Sequence, residues 1–268
     1  MNLFSEYHWF ELWEPIWFVV LLAMAVLYLR NKGASRRERS LFLTALALIF
    51  IVVGSPFHIL AAHGLFSAFM VQQSILYLVV PPFLISGIPS SWLRPQLWHH
   101  IVKRILRALT NPWFTAILFN VGFSLYLLPM VFHSVHGHPV YTGLCDLFLF
   151  LASVLMWWSI LSPLPELNPL SGLARLFYIF ITAVMLTPIA FLMLFANDIL
   201  YPAYGMASGV FSNLSALYDQ QLAGGILKGF QLTAYGIVLG IVVFEWVRKE
   251  QQQDQSGSGK RPRVKKAH

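Results

Sequence analysis

FSAFMVQQSILYLVVPPFLISGI, residues 66–88, contains no Asp, Glu, Lys or Arg from end to end. At about 1.5 Å of rise per helical residue, a run of this length crosses the roughly 30 Å of hydrocarbon in a bilayer. A barrel strand would instead alternate over short segments. Six further apolar stretches lie around it, at 15–29, 41–60, 113–132, 141–161, 173–196 and 223–247. The expected fold is all-α: a polytopic integral membrane protein whose residues 1–247 form one seven-helix transmembrane domain.

The composition agrees. Of 268 residues, 57% are hydrophobic and 11% charged, which is far from the balance of a water-soluble domain. The net charge of +7 would suit a nucleic-acid binder if the charges formed a patch. They do not. Arg30, Lys32, Arg36, Arg37 and Arg39 follow the first stretch, and Arg94, Lys103, Arg104 and Arg107 follow the third. Arg175 opens the sixth, and Arg248, Lys249 and five more basic residues follow the seventh, while Lys228 stands alone on the other side. By the positive-inside rule the N-terminus is outside and the C-terminus cytoplasmic. Nucleic acid is excluded as a partner. Residues 248–268 read as a basic, disordered tail facing anionic lipid. Residues 1–14 hold three glutamates and no basic residue, unlike a cleaved signal, so the first span is expected to be retained. Cys145 is the only cysteine, which rules out an internal disulfide.

The segment 92–109 is expected to lie along the inner membrane surface. Pro81 and Pro82 within the third span, and Pro188 within the sixth, each remove a backbone donor, so kinks are expected there. The carbonyls they free either pack against side chains or line a polar cavity.

Six of the nine histidines, His8, His58, His63, His133, His136 and His138, fall on the outer side. His133, His136 and His138 form HxxHxH. Two readings stand side by side: interfacial imidazoles with wet edges, or ligands of copper or zinc, which imidazole suits. His58 and His63 bracket the turn before the third span, and Met70 follows two turns on, a thioether able to bind Cu(I) or simply to pack. Gln72 and neighbouring Gln73 need partners inside the bundle. Asp146 is a carboxylate within the fifth span, with a structural and a functional reading open to it. Asp198 and Asp219 decorate the outer stretch before the seventh span, where Lys228 either pairs with one of them or reaches the interface. No P-loop, GxSxG, HExxH or CxxC is present, so the chain is not read as an enzyme.

SPFHILAAHGLFSAFMVQQSILYLVVPPFLISGIP, residues 55–89, resembles the signature of the multi-spanning CtaG family of cytochrome c oxidase assembly factors. Asn111, Pro112 and Trp113, then Trp157 and Trp158, the residues from Arg175 to Tyr178, then Tyr201, Pro202 and Tyr204, and YDQQLAG at 218–224 look like further landmarks of that family. The resemblance implies a bacterial plasma-membrane protein needed to form or stabilise a caa3-type oxidase. Its partners would be oxidase subunits, and copper supply to an oxidase metal centre is one implied route. The wider family has histidines where this chain has Phe69 and Gln73, and another near Leu147. A transporter or channel for copper or another small solute is the alternative reading, carried by the polar residues and prolines inside the spans.

Overall fold

The computed structural model describes residues 8, 12–95, 104, 108–164, 170, 172–204 and 214–258. Every regular element among them is helical. In chain order these are α1 (Pro15–Arg30), α2 (Arg36–Ile49), α3 (Phe57–Ile59), α4 (Phe66–Ser74), α5 (Val80–Gly87), α6 (Ser90–Leu93), α7 (Pro112–Tyr126), α8 (Pro129–His136), α9 (Pro139–Leu161), α10 (Gly172–Met185), α11 (Thr187–Leu194) and α12 (Ala216–Ser258). Wider π-helical turns at Phe50–Gly54, Leu60–Gly64 and Ile75–Val79 join several of them.

Among the described residues four helical runs are long and apolar enough to cross a membrane: Phe66–Gly87, Pro139–Leu161, Gly172–Leu194 and Ala216–Arg248. Two more qualify if a bent pair counts as one span. Arg36–Gly54 meets Phe57–Gly64 at 57°, and Pro112–Tyr126 meets Pro129–His136 at 78°. Helix α1 has 16 residues, short of the roughly 20 that a perpendicular span needs. The apolar stretches 41–60 and 113–132, each expected as one span, both contain a bend. Both bends fall where a residue precedes proline and is driven to extended backbone. Ser55, before Pro56, has φ −105° and ψ 168°; Leu128, before Pro129, has φ −62° and ψ 131°.

Pro81 and Pro82 act differently: Phe66–Gly87 remains one span. The π turn Ile75–Val79 comes just before them, and both prolines fall in the first turn of α5, where missing donors cost least. Pro81 cannot donate to the carbonyl of Tyr77 four residues back. That oxygen instead accepts Trp157 Nε1–H at 3.0 Å and the Ser153 hydroxyl. The Pro188 break is closed in a similar way from α12. Gln231 Nε2–H donates to the Ala183 carbonyl, and the Lys228 ammonium donates to Thr187 Oγ1 at 2.7 Å and Gln231 Oε1 at 3.1 Å. Lys228 is therefore held at the break.

The 66–87 span is the most buried of the four. Its Phe66, Phe69, Met70, Tyr77 and Leu78 form the middle of one apolar core with α7, α9, α11 and α12. A smaller cluster joins α1 to α2, where Tyr28 stacks on Phe42 with ring centroids 4.0 Å apart and donates to the Gly87 carbonyl at 2.7 Å. Ile16, Leu173 and Phe244 are among many large apolar side chains left facing outward, as lipid-facing positions would be. Helix α12 continues through Ser258, past the expected end at residue 247. Nothing in EWVRKEQQQDQ breaks a helix before Gly257. Residues 259–268, and most of the surface segment 92–109, lie outside the described residues.

Candidate functional site

Phe69 and Gln73 are four residues apart in α4 and so share one face of the central span. They meet α8 and α9 around a cavity of about 200 Å³, whose lining includes Glu14, His58, Gln72, Gln73, His136 and Asp146, together with Phe69 and Thr142. The Asp146 carboxylate is the focus. Its Oδ1 accepts the Tyr77 hydroxyl at 3.1 Å and the Tyr126 hydroxyl at 3.2 Å. Gln73 is 2% exposed, and its Oε1 has no hydrogen-bond partner among the described residues. His136 is stacked on Phe132 at 3.9 Å between centroids and sits against the edge of Phe69 at 5.2 Å. Its Nδ1 is likewise buried without a partner among the described residues. Gln72 spans to α2, where Nε2–H donates to the Val52 carbonyl at 2.7 Å inside the π turn.

At the mouth, His58 Nδ1 lies 2.9 Å from the Ser55 carbonyl oxygen, which can only accept, so Nδ1 carries the hydrogen. That leaves Nε2 turned toward Glu14 Oε1, 3.8 Å away. Among the described residues the cavity wall contains no Lys or Arg.

A second polar network closes the helix ends around residues 61–67, 127 and 196–204. The buried Asp219 carboxylate accepts the backbone N–H groups of Phe66 at 2.7 Å and Ser67 at 3.2 Å, which are unpaired donors at the start of α4. Tyr204 donates to the Ala61 carbonyl at 3.0 Å, and Tyr201 to the Leu127 carbonyl, each an acceptor at a helix end. Burial raises the Tyr204 phenol above its ordinary pKa, so it stays a donor. Gln220 Oε1 accepts Leu200 N–H at 2.7 Å while its Nε2–H donates to the Asp198 carbonyl at 3.2 Å. Gln221 donates to the Ala196 carbonyl at 3.0 Å. At the other end Asn111 caps α7 through Trp113 and Phe114 N–H, and Arg175 approaches Glu245 at 3.5 Å.

The residues singled out in the sequence thus separate. His58, Gln72, His136 and Asp146 share the cavity. His63, His133 and His138 are exposed, with His138 edge-on to Tyr141 at 5.3 Å. Met70 is fully buried in the core and Asp219 is a helix cap. The HxxHxH spacing divides because Gly137 ends α8 and Pro139 starts α9, turning His136 inward. Among the described residues no three His, Cys, Asp or Glu side chains stand at metal-ligand geometry. The cavity's polar lining is imidazole, carboxylate, amide and hydroxyl. Glu14, Tyr77, Tyr126 and Thr142 were not singled out in the sequence. Tyr77 was legible from its i, i+4 spacing to Gln73; Glu14 and Tyr126 carry no local signal.

A family model described as cytochrome c oxidase caa3 assembly factor matches residues 20–249. No curated protein and no solved structure matches the chain.

Proposed function

The chain belongs to the family of cytochrome c oxidase caa3 assembly factors, and on that footing we propose that it is needed to form or stabilise a caa3-type oxidase by holding oxidase subunits at the outer membrane face. The match over residues 20–249 carries this reading, since it takes in the central span and every landmark of the outer network. The role is non-catalytic. In this reading the protein sits in the bacterial plasma membrane with seven spans, the N-terminus outside and the C-terminus cytoplasmic. The one-sided basic residues support that orientation.

Copper is the cargo we propose for a delivery role, with His58 and His136 as receiving imidazoles and the exposed His63, His133 and His138 as outer contacts. The outer network supports a holding role independently of any metal. Asp219, Tyr201 and Tyr204 tie the ends of separate helices together, which keeps that face in one shape for a partner.

A deletion strain tests the reading through its reduced-minus-oxidised membrane spectrum, its cytochrome c oxidase activity and its subunit levels. Activity lost at unchanged transcript levels is the expected result. Rescue by added copper would favour delivery, and lack of rescue would favour subunit holding. Unchanged activity and haem a spectrum would sink the proposal. Protein-dependent copper uptake by reconstituted vesicles would favour transport instead.

A further inference from the structure

We propose that the corner where α1 meets α2 and the end of α6 is a binding surface for an anionic phospholipid. Its phosphate seats among Arg30, Lys32, Arg36, Arg37, Arg39 and Arg94, and its acyl chain lies along α1. This surface needs only that the end of α1 meet a headgroup layer, whichever side of the membrane that is, and oxidase assembly does not enter it.

The connection RNKGASRRER, residues 30–39, carries five cations and one acid. The acid is already engaged. Glu38 Oε2 accepts Ser35 N–H at 2.6 Å while Ser35 Oγ accepts Glu38 N–H at 3.2 Å, which closes the N-terminus of α2. All five cations are exposed, and none forms an ion pair among the described residues. Gly33, at φ 123°, turns the connection against α6, so that a Cβ there would stand 3.6 Å from both Ser91 Oγ and Trp92 Nε1. Arg94, exposed just past Trp92, thereby joins the same corner. Charges from two separate connections are gathered in one place, which a one-sided distribution of basic residues does not by itself require.

An aromatic frame holds the corner in shape. Tyr28 stacks on Phe42 with centroids 4.0 Å apart, and Trp92 packs edge-on against Tyr28 at 5.1 Å. Beside this frame α1 turns Val26, Leu27 and Leu29 outward, each at least 46% exposed. An apolar helix face that runs straight into a cluster of unpaired cations fits an amphiphile with an anionic head. A soluble phosphate or an acidic peptide would use the cations and leave the apolar face uncovered. Arginine supplies paired N–H donors matched to phosphate oxygens. Basic clusters of this size at a membrane boundary recruit anionic headgroups, each charge strengthening attachment about fivefold. At 16 residues α1 is also short for a core of roughly 30 Å, which draws headgroups in toward its end and within reach of these side chains.

Full-length protein in mixed detergent micelles is titrated with phosphatidylglycerol and with phosphatidylcholine, each carrying a fluorophore on its acyl chain. Bound lipid is read by energy transfer from tryptophan. The expected result is an apparent Kd at least about fivefold lower for phosphatidylglycerol, with the preference shrinking as salt is raised. Arg36→Gln, Arg37→Gln and Arg39→Gln together should weaken phosphatidylglycerol binding by at least about tenfold and leave phosphatidylcholine unchanged. Lys32→Gln with Arg94→Gln, a second variant drawn from both connections, should weaken it several-fold; all five positions are exposed, so the core is untouched. Glutamine at the five basic residues of 260–266 should leave binding unchanged. Equal affinity for the two lipids, wild-type affinity in both corner variants, or loss of the preference only in the tail variant overturns the surface. Displacement of the lipid by inorganic phosphate or polyglutamate at matched ionic strength overturns it too, by making the ligand a free anion or an acidic peptide. Oxidase activity in the deletion strain is a separate readout and bears on the assembly reading alone.

Discussion

The Asp219 carboxylate caps the backbone N–H of Phe66 from 153 residues away, tying the start of α12 to the start of the central span. It also takes Ser67 N–H. Asp219→Ala strands two donors in a site where Asp219 itself is fully buried, and a loss of about 1–3 kcal/mol is expected. Asp219→Asn keeps an acceptor oxygen and should lose less. Thermal unfolding in detergent orders the two variants; equal midpoints for both and for wild type would mean that the cap contributes nothing.

Helix α12 approaches α11 closely at one glycine. A Cβ on Gly224 would stand 2.6 Å from the Ala190 carbonyl oxygen and 2.6 Å from Leu194 N, both backbone atoms that cannot rotate away. Gly224→Ala should therefore cost about 1–3 kcal/mol by forcing the helices apart. Gly236 and Gly240 lie on the same helix with nothing within 4 Å of an added Cβ. Alanine at either should be neutral or stabilising by up to about 1 kcal/mol from helix propensity. The same melts test this contrast, and destabilisation at Gly236 equal to that at Gly224 would contradict it.

Pro81 strips the Tyr77 carbonyl of its helical donor, and Ser153 and Trp157 replace it. Either replacement alone still satisfies the oxygen. Ser153→Ala and Trp157→Phe should thus be less than additive-neutral together: the double variant leaves a buried acceptor bare and shows an extra loss of about 0.5–3 kcal/mol beyond the sum of the singles. Strict additivity in a double-mutant cycle would show that the two donors act independently.

The apolar runs at 66–88, 141–161 and 173–196 were legible because continuous hydrophobicity is a local property, and each became a span close to its expected bounds. The bends at Ser55 and Leu128 were written in the sequence as residues before proline, yet hydropathy masks them, because a bent apolar run scores like a straight one. Asp146, His58, Gln72 and His136 were each conspicuous as polar groups among apolar neighbours. Their meeting was not, because they come from separate elements and only packing brings them to one cavity. At HxxHxH nearness in sequence leaves convergence open, and a turn at Gly137 and a new helix at Pro139 give His136 a different environment from His133 and His138. Tyr201, Tyr204 and Asp219 stood out as family landmarks, and their hydrogen bonds show why they sit there, as caps on broken helices.

Tyr77 and Tyr126 both donate to Oδ1 of Asp146, and the Gln73 side chain also interacts with the carboxylate, so it rests on neutral donors rather than on a basic partner; among the described residues it forms no ion pair. Tyr77→Phe with Tyr126→Phe removes both hydroxyl donors while keeping the rings, and an unfolding loss of about 1–3 kcal/mol is expected from a half-buried carboxylate left without them. Replacing Asp146 by leucine in that double variant takes the stranded group away and should recover part of the loss, since apolar substitution of a buried polar cluster is often close to neutral. The recovery isolates the electrostatic cause, which a simple packing defect would not reproduce. If the triple variant unfolds at or below the midpoint of the double, the two tyrosines stabilise the bundle through their packing, and Asp146 does not depend on them.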